Sequence, residues 1–373
     1  MFKIVPRIFF FIKILLQAKY KFSFPKKKPI LIYDGVLNPF YKYFSKNSNI
    51  LFTRGEELNI PILFLCIKEL NISPINYFSK YIKYSKTKLI ITAIDNYHTF
   101  FMLSELTKVK TIFVQYGRKK WGDGLLADKN ILLKKNNKKY FVDYMFVFNR
   151  HVQKIYKKII RGKIFIKGSF RNNINYQKIK KINEVLFISD YKKTFEKSDI
   201  SYYDKYVINF LYNSCKKNNL KFNILCKTND SNEIRYFKKV ISDKVNFVGF
   251  NNNNNVFYKY KIIRKYKYIF SIWSSLAIEA FAIGARVGFI FFKPKKYFNL
   301  ATGHFERLGL RGPFWTAFSN FNNKKECERV FSFVTKGSEA RWKYVRRKYQ
   351  KDYCVFEKDN KTFFNIVNSV LAE

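Results

Sequence analysis

Acidic side chains are scarce in this chain. Its 373 residues include 26 Asp+Glu against 72 Lys+Arg, a formal net charge of +46. Heavy use of Lys, Asn, Ile, Phe and Tyr is what an AT-rich genome imposes. Asp and Glu codons tolerate the same bias, so the shortage of acids points to anionic partners such as phospholipid surfaces or nucleotide phosphates. Nucleic acid is not expected among them, because the basic residues are spread along the chain and form no known motif. Cysteine is sparse too. Cys66, Cys215, Cys226, Cys327 and Cys354 are odd in number and lack CxxC spacing, which argues against a disulfide framework or a zinc site and fits a reducing cytoplasm. His98, His151 and His304 are too scattered to form a metal cluster, and there is no Asp-x-Asp pair to clamp a metal. No P-loop, HExxH or GxSxG pattern occurs. "WGDGLLA" at 121–127 follows Arg-Lys-Lys and not a strand, so it is not a dinucleotide fingerprint and no bound cofactor is expected.

No long apolar run is present either. The stretch from Ile4 to Leu16 is broken by Pro6, Arg7 and Lys13 and falls short of the roughly 20 residues a spanning helix needs. No small-residue cleavage site follows it, so a signal peptide is not expected. The expectation for 1–28 is a basic amphipathic helix on the membrane surface, with Lys13, Lys19, Lys21 and Lys26–Lys28 toward lipid headgroups.

What the chain does have is alternation, with enough hydrophobic content (47%) for two cores. Short apolar runs such as "PILIYDG", "KLIITAIDN", "TIFVQYG", "EVLFISDY", "KFNILCKT", "KYIFSIW" and "RVGFIFF" read as buried strands. Helical patterns lie between them. "IPILFLCIKEL" fits helix or strand equally, and "GLRGPFWTAFSN" reads as a structured loop. The expected fold class is α/β, with two doubly wound Rossmann-like domains facing across a cleft. The first spans 29–172 and the second 173–340. Asn172-Asn173 suit a hinge between them, and a basic helical segment over 341–373 is expected to cross back to the first domain.

Ligands of open α/β sheets sit beyond the C-terminal strand ends. In "YIFSIWSSLAIEAFAIGARVGFI" (268–290), Ser274 and Ser275 follow a buried strand at a helix start, and Glu279 lies one turn in. Serines there cap free N–H groups that also attract phosphate, and the glutamate could accept from ribose hydroxyls. The plain alternative is a serine-capped packing helix. Lys227, and less directly Arg235, stand where a diphosphate could be held. Asp95, ending a buried strand, is the first candidate general base, followed by Glu56 and His98. Helix capping is the alternative for Asp95, and an ion pair with Arg54 is the alternative for Glu56. Arg118 could hold an acceptor phosphate or carboxylate.

The 268–290 stretch resembles the "ST-L-x-x-E-A-L-A-x-G" segment of a family of bacterial surface-carbohydrate (O-antigen type) biosynthesis proteins. "RGEELNIPIL", "IITAIDNYHTFFML", "IFVQYGRK", "VDYMFVFN", "IKGSFRNN" and "GPFWT" are similar to further blocks of that family, in the same order, from Pro29 to Trp342. The resemblance implies a GT-B glycosyltransferase, with Gln115, Gly117 and Arg118 at a substrate-binding turn. Tyr116 stands where the family has Asn, which leaves a backbone contact at Gly117 as the firmer expectation. Together these readings give a metal-independent glycosyltransferase. It would move sugar from a nucleotide-sugar to a lipid-linked or growing glycan, in the cytoplasm and peripheral to the inner face of the cell membrane. An alditol-phosphate transferase, a nucleotide-sugar epimerase and a non-catalytic basic scaffold are the alternatives.

Overall fold

The structure is a computed structural model that describes residues 16–34, 39–94, 99–117, 140–174, 179–191, 193, 199–228, 230–241, 245–249, 257–292, 309–319 and 323–373. The apolar runs become strands because their residues are buried on both sheet faces, as in Ile30–Tyr33 (β2), Leu89–Thr92 (β5) and Arg286–Phe292 (β13). Strands β3 (Ser48–Leu51), β2, β5, β6 (Lys110–Val114), β7 (Tyr140–Val147) and β8 (Ile160–Ile166) form a six-stranded parallel sheet in that order. The second sheet has seven strands. Its order is β11 (Asn246–Val248), β10 (Phe222–Leu225), β9 (Ile182–Ile188), β12 (Tyr266–Ser271), β13, β15 (Trp315–Phe318) and β14 (Arg311–Gly312). Only β14 runs antiparallel.

Two segments differ from the sequence expectation. Lys19–Lys21, expected on a surface helix, is a strand (β1) paired in parallel with β4 (Glu57–Asn59). Asn59 also ties this segment down by donating to the Ser23 carbonyl. The "GPFWTAF" stretch, expected as a loop, supplies β14 and β15. Its four residues Trp315–Phe318 are all buried, and Gly312 leaves room for the Trp315 indole, which a Cβ would meet at 2.1 Å. The polar pair Asn172-Asn173, read as a hinge, is buried and bonded: Asn172 donates to the Glu279 carbonyl and Asn173 to Lys167 O and Asn360 Oδ1.

The ambiguous "IPILFLCIK" is a helix, α2 (Ile60–Lys68), after the short α1 (Tyr41–Phe44). Asn59 accepts from Ile62 N, and a proline sits in the first turn, so the start is capped from both sides. The first domain continues with α3 (Pro74–Tyr84), α4 (Phe100–Thr107), α5 (Arg150–Tyr156) and α6 (Phe170–Asn173). The second carries α7 (Asp199–Lys217), α8 (Ser231–Val240), α9 (Tyr258–Lys265), α10 (Ser275–Ala282), α11 (Lys324–Lys336) and α12 (Glu339–Tyr353). The last helix, α13 (Lys361–Ala372), packs Phe363, Val367 and Val370 into the first domain's core beside Ile30, Ile32 and Ile91. Among the described residues, no helix is long and apolar enough to cross a membrane.

Candidate functional site

In the second sheet β10 and β11 lie on one side of β9, and β12 and β13 on the other. Strand order therefore reverses between β9 and β12, the place where open α/β sheets form a ligand crevice. Asp190 follows β9 by two residues, and the turn 272–274 leads from β12 into α10.

A chain of hydrogen bonds fixes this turn. Asp190 Oδ2 accepts from Trp273 N at 3.1 Å and lies 3.2 Å from Ser271 Oγ. Ser271 Oγ in turn accepts from Ser274 N at 3.0 Å, and Ser274 Oγ caps Leu276 N at 3.3 Å. Ser274 and Ser275 are half-buried at the helix start, and neither is closed into the core. Burial raises the Asp190 carboxyl to about 7. The Trp273 amide, the Lys227 charge and Ser271 pull it down, and Asp204 pushes it up.

Lys227 is exposed, and its charge reaches Asp190. Its loop is held by the buried Glu233 of α8, which accepts from Lys227 N, Thr228 N and Thr228 Oγ1 at 2.7–2.8 Å. Those amides are thereby occupied, which leaves the Lys227 ammonium as the group this loop can offer to an anion. Arg235 is exposed on α8 and donates to Asn232 of its own helix at 2.7 Å. No contact among the described residues brings it to the α10 turn.

Glu279 is not open to solvent. It is 2% exposed and takes hydrogen bonds from Tyr260 and Ser169, with the Arg171 charge nearby. Burial raises its carboxyl, against the opposing pull of Arg171, Tyr260 and Ser169. Its Oε2 accepts no hydrogen bond from any described residue. Arg171 belongs to the first domain: its guanidinium lies 3.8 Å from the Tyr116 ring and donates to Tyr116 Oη at 2.9 Å. The Arg171–Glu279–Tyr260 cluster thus joins the two domains.

On the first-domain side, Gln115 is buried and holds the fold. Its Oε1 accepts from Phe148 N at 2.8 Å and its Nε2 donates to Gly117 O at 2.7 Å. Both ends of the amide are engaged, so a substrate contact there would have to displace one of them. Gly117 faces open space where a Cβ would stand, so its backbone can be approached. Glu56 accepts from Arg54 N at 2.9 Å, while the Arg54 guanidinium pairs with Asp34 at 3.2 Å and not with Glu56. Asp95, His98 and Arg118 lie outside the described residues.

Sequence reading missed Asp190 and Asp34. Both end strands next to the point where their sheet reverses order, since β2 pairs with both β3 and β5. The available signal was a strand-end Asp in "EVLFISDY" and "PILIYDG". It could not be ranked above other strand ends without knowing strand order.

A family model described as "putative O-antigen biosynthesis protein" matches residues 112–371. No curated protein matches in sequence. Among solved structures, the wall teichoic acid polymerase TagF with CDPG is similar with a TM-score of 0.52 at 11% identity, over 93% of this chain and 89% of that one. The UDP-GlcNAc 2-epimerase of Methanocaldococcus jannaschii is similar with a TM-score of 0.51 at 10% identity, over 91% and 99%. These likenesses are of fold alone: the chain shares the GT-B arrangement of two doubly wound domains facing across a cleft.

Proposed function

The chain belongs to this O-antigen biosynthesis family, and from that premise we propose that it is a glycosyltransferase of surface-polysaccharide assembly. It takes a nucleotide-sugar in the second domain and a lipid-linked or growing glycan acceptor on the first, at the inner face of the cell membrane. The observation that carries this reading is the α10 start at the order reversal of the second sheet. There two half-buried serines head a helix, with an exposed lysine beside the turn. Helix N–H groups and Lys227 stabilise the diphosphate as it leaves, without a metal. Protonated Asp190 holds the turn in place and removes a negative charge from the path of the phosphates. Glu279 Oε2 is the acceptor left for a ribose hydroxyl. The base that takes the acceptor's proton comes from the first domain, with Asp95 first and Glu56 second.

Calorimetric titration of the full chain with UDP-, CDP- and GDP-sugars tests this. One donor class should bind saturably, and Ser275→Ala with Lys227→Gln should weaken it by about tenfold, roughly the effect of 1.4 kcal/mol, with the unfolding temperature held. Unchanged affinity in that double variant removes the site assignment. Incubating labelled donor alone separates the epimerase reading, because an epimerase gives product without acceptor. CDP-glycerol among the donors tests alditol-phosphate transfer.

A further inference from the structure

Among the described residues, large apolar side chains left in solvent concentrate in one part of the first domain. In the N-terminal segment Phe22 is 78% and Phe24 50% exposed, and on and just after α2 Phe64 is 65% and Leu70 94% exposed. Leu16, Ile67 and Ile72 are exposed in the same region. The segments are neighbours in space: β1 pairs with β4, which leads directly into α2, and the Phe24 ring stacks on Tyr84 at the end of α3 at 4.9 Å. Helix α2, IPILFLCIK, is apolar almost all round, yet it buries only Ile62 and Cys66. A helix of that kind on a protein surface has an unfilled apolar face.

Charge surrounds this face. Lys19, Lys21, Lys26, Lys27, Lys68 and Lys83 are exposed in the same segments. Glu56, Glu57 and Glu69 are acids beside them, and Glu57 and Glu69 are paired with Lys21 and Lys80. Phenylalanine and leucine among lysines are what an anionic bilayer surface accepts: the rings enter the boundary between headgroups and acyl chains, and the ammonium groups meet lipid phosphate. A protein partner would instead match the apolar face without needing the ring of cations.

We propose that β1, its following coil and the outer face of α2 form the docking surface by which this chain lies on an anionic membrane, with Phe22, Phe64 and Leu70 inserted and the flanking lysines on the headgroups. This deepens the membrane part of the function proposed above. It is tested without any sugar donor, so its failure leaves the donor site standing, and failure of the donor site leaves it standing in turn.

The experiment is co-sedimentation of the full chain with phosphatidylglycerol–phosphatidylcholine vesicles at low and high salt. Phe22→Ser with Phe64→Ser and Leu70→Ser should cut partitioning by more than about tenfold at both salt concentrations, because apolar insertion is not screened. Lys19→Gln with Lys26→Gln, Lys27→Gln and Lys68→Gln should cut it chiefly at low salt. A control removing four exposed lysines of the second domain, Lys205, Lys216, Lys324 and Lys336, should change it by less than about twofold. All these side chains are exposed, and the unfolding temperature checks that each variant folds. Unchanged partitioning of the serine variant, or equal losses in the two lysine variants, overturns the proposal in favour of diffuse charge. A wild-type dimer that the serine variant turns into monomer, with vesicle binding intact, overturns it in favour of self-association.

Discussion

Asp190 keeps its proton up to about pH 7 because burial outweighs the Trp273 amide and the Lys227 ammonium, which favour its charge. Two consequences follow in opposite assays. Below that pH the neutral carboxyl leaves the α10 start positive, and above it a carboxylate puts a negative charge beside that start. Nucleotide-diphosphate affinity is therefore expected to fall as pH rises from 6 to 8, and titrations of Asp190→Asn across that range should be flat. If the variant keeps the wild-type slope, another group sets it. Stability follows the sign for a raised carboxyl. The contribution is fully present below the ordinary Asp range near 4 and is lost as pH rises through about 7. Denaturant unfolding should show the wild type losing stability relative to Asp190→Asn over that window. At the domain junction, Arg171 and Glu279 oppose each other's burial cost. A double-mutant cycle of Arg171→Met and Glu279→Gln should give a coupling of about 1 kcal/mol or more, whereas additive losses would mean that each acts only through Tyr116 or Tyr260.

Packing at the level of elements gives a sharper test at β14–β15. A Cβ at Gly312 would stand 2.1 Å from the Trp315 ring. Gly312→Ala should therefore destabilise by about 1–3 kcal/mol through overpacking and shift tryptophan emission, since Trp315 is fully buried beside Phe314 and Tyr349. The same pair of strands shows the limit of pattern reading. "GPFWTAF" carries Gly and Pro at one end, which signal a turn. Its claim to be a strand comes from pairing with β13, a contact distant in sequence. Strands of the "ILIY" and "RVGFIFF" kind were legible because both faces are buried, so their whole length is apolar. The serine-led start of α10 was legible for a local reason too, namely a cap residue after a buried strand. The surroundings of Glu279 were not legible, because its spacing fixes a face of the helix but does not reveal what covers that face. Here the cover is Tyr260, about twenty residues before it, and Ser169 from the other domain.

The chain as a whole is threaded twice between its domains. It passes once from α6 toward β9 and again from α12 to α13. The return is bonded at several points: Val355 N donates to Phe148 O at 3.1 Å, Asn149 to Tyr353 O at 2.7 Å, and Lys167 pairs with Glu357 at 2.8 Å. Alternation in the sequence announced two domains, and a basic C-terminal segment suggested a return. It did not say that the returning helix completes a core. Phe363 does so: its ring lies 4.9 Å from Phe170, 5.4 Å from Phe146 and 5.8 Å from Phe40, and it is 1% exposed. Phe363→Ala is expected to cost about 3–5 kcal/mol, and the loss should fall on the first domain, because every one of those rings belongs to it. Hydrogen exchange read segment by segment distinguishes the cases. Faster exchange in β2, β5 and β6 with β9, β10 and β12 unchanged is the expected result. Equal acceleration in both sheets would mean instead that the two domains unfold as one cooperative unit, joined through the buried Arg264, which donates to Asn172 O at 2.9 Å and Ile174 O at 3.1 Å.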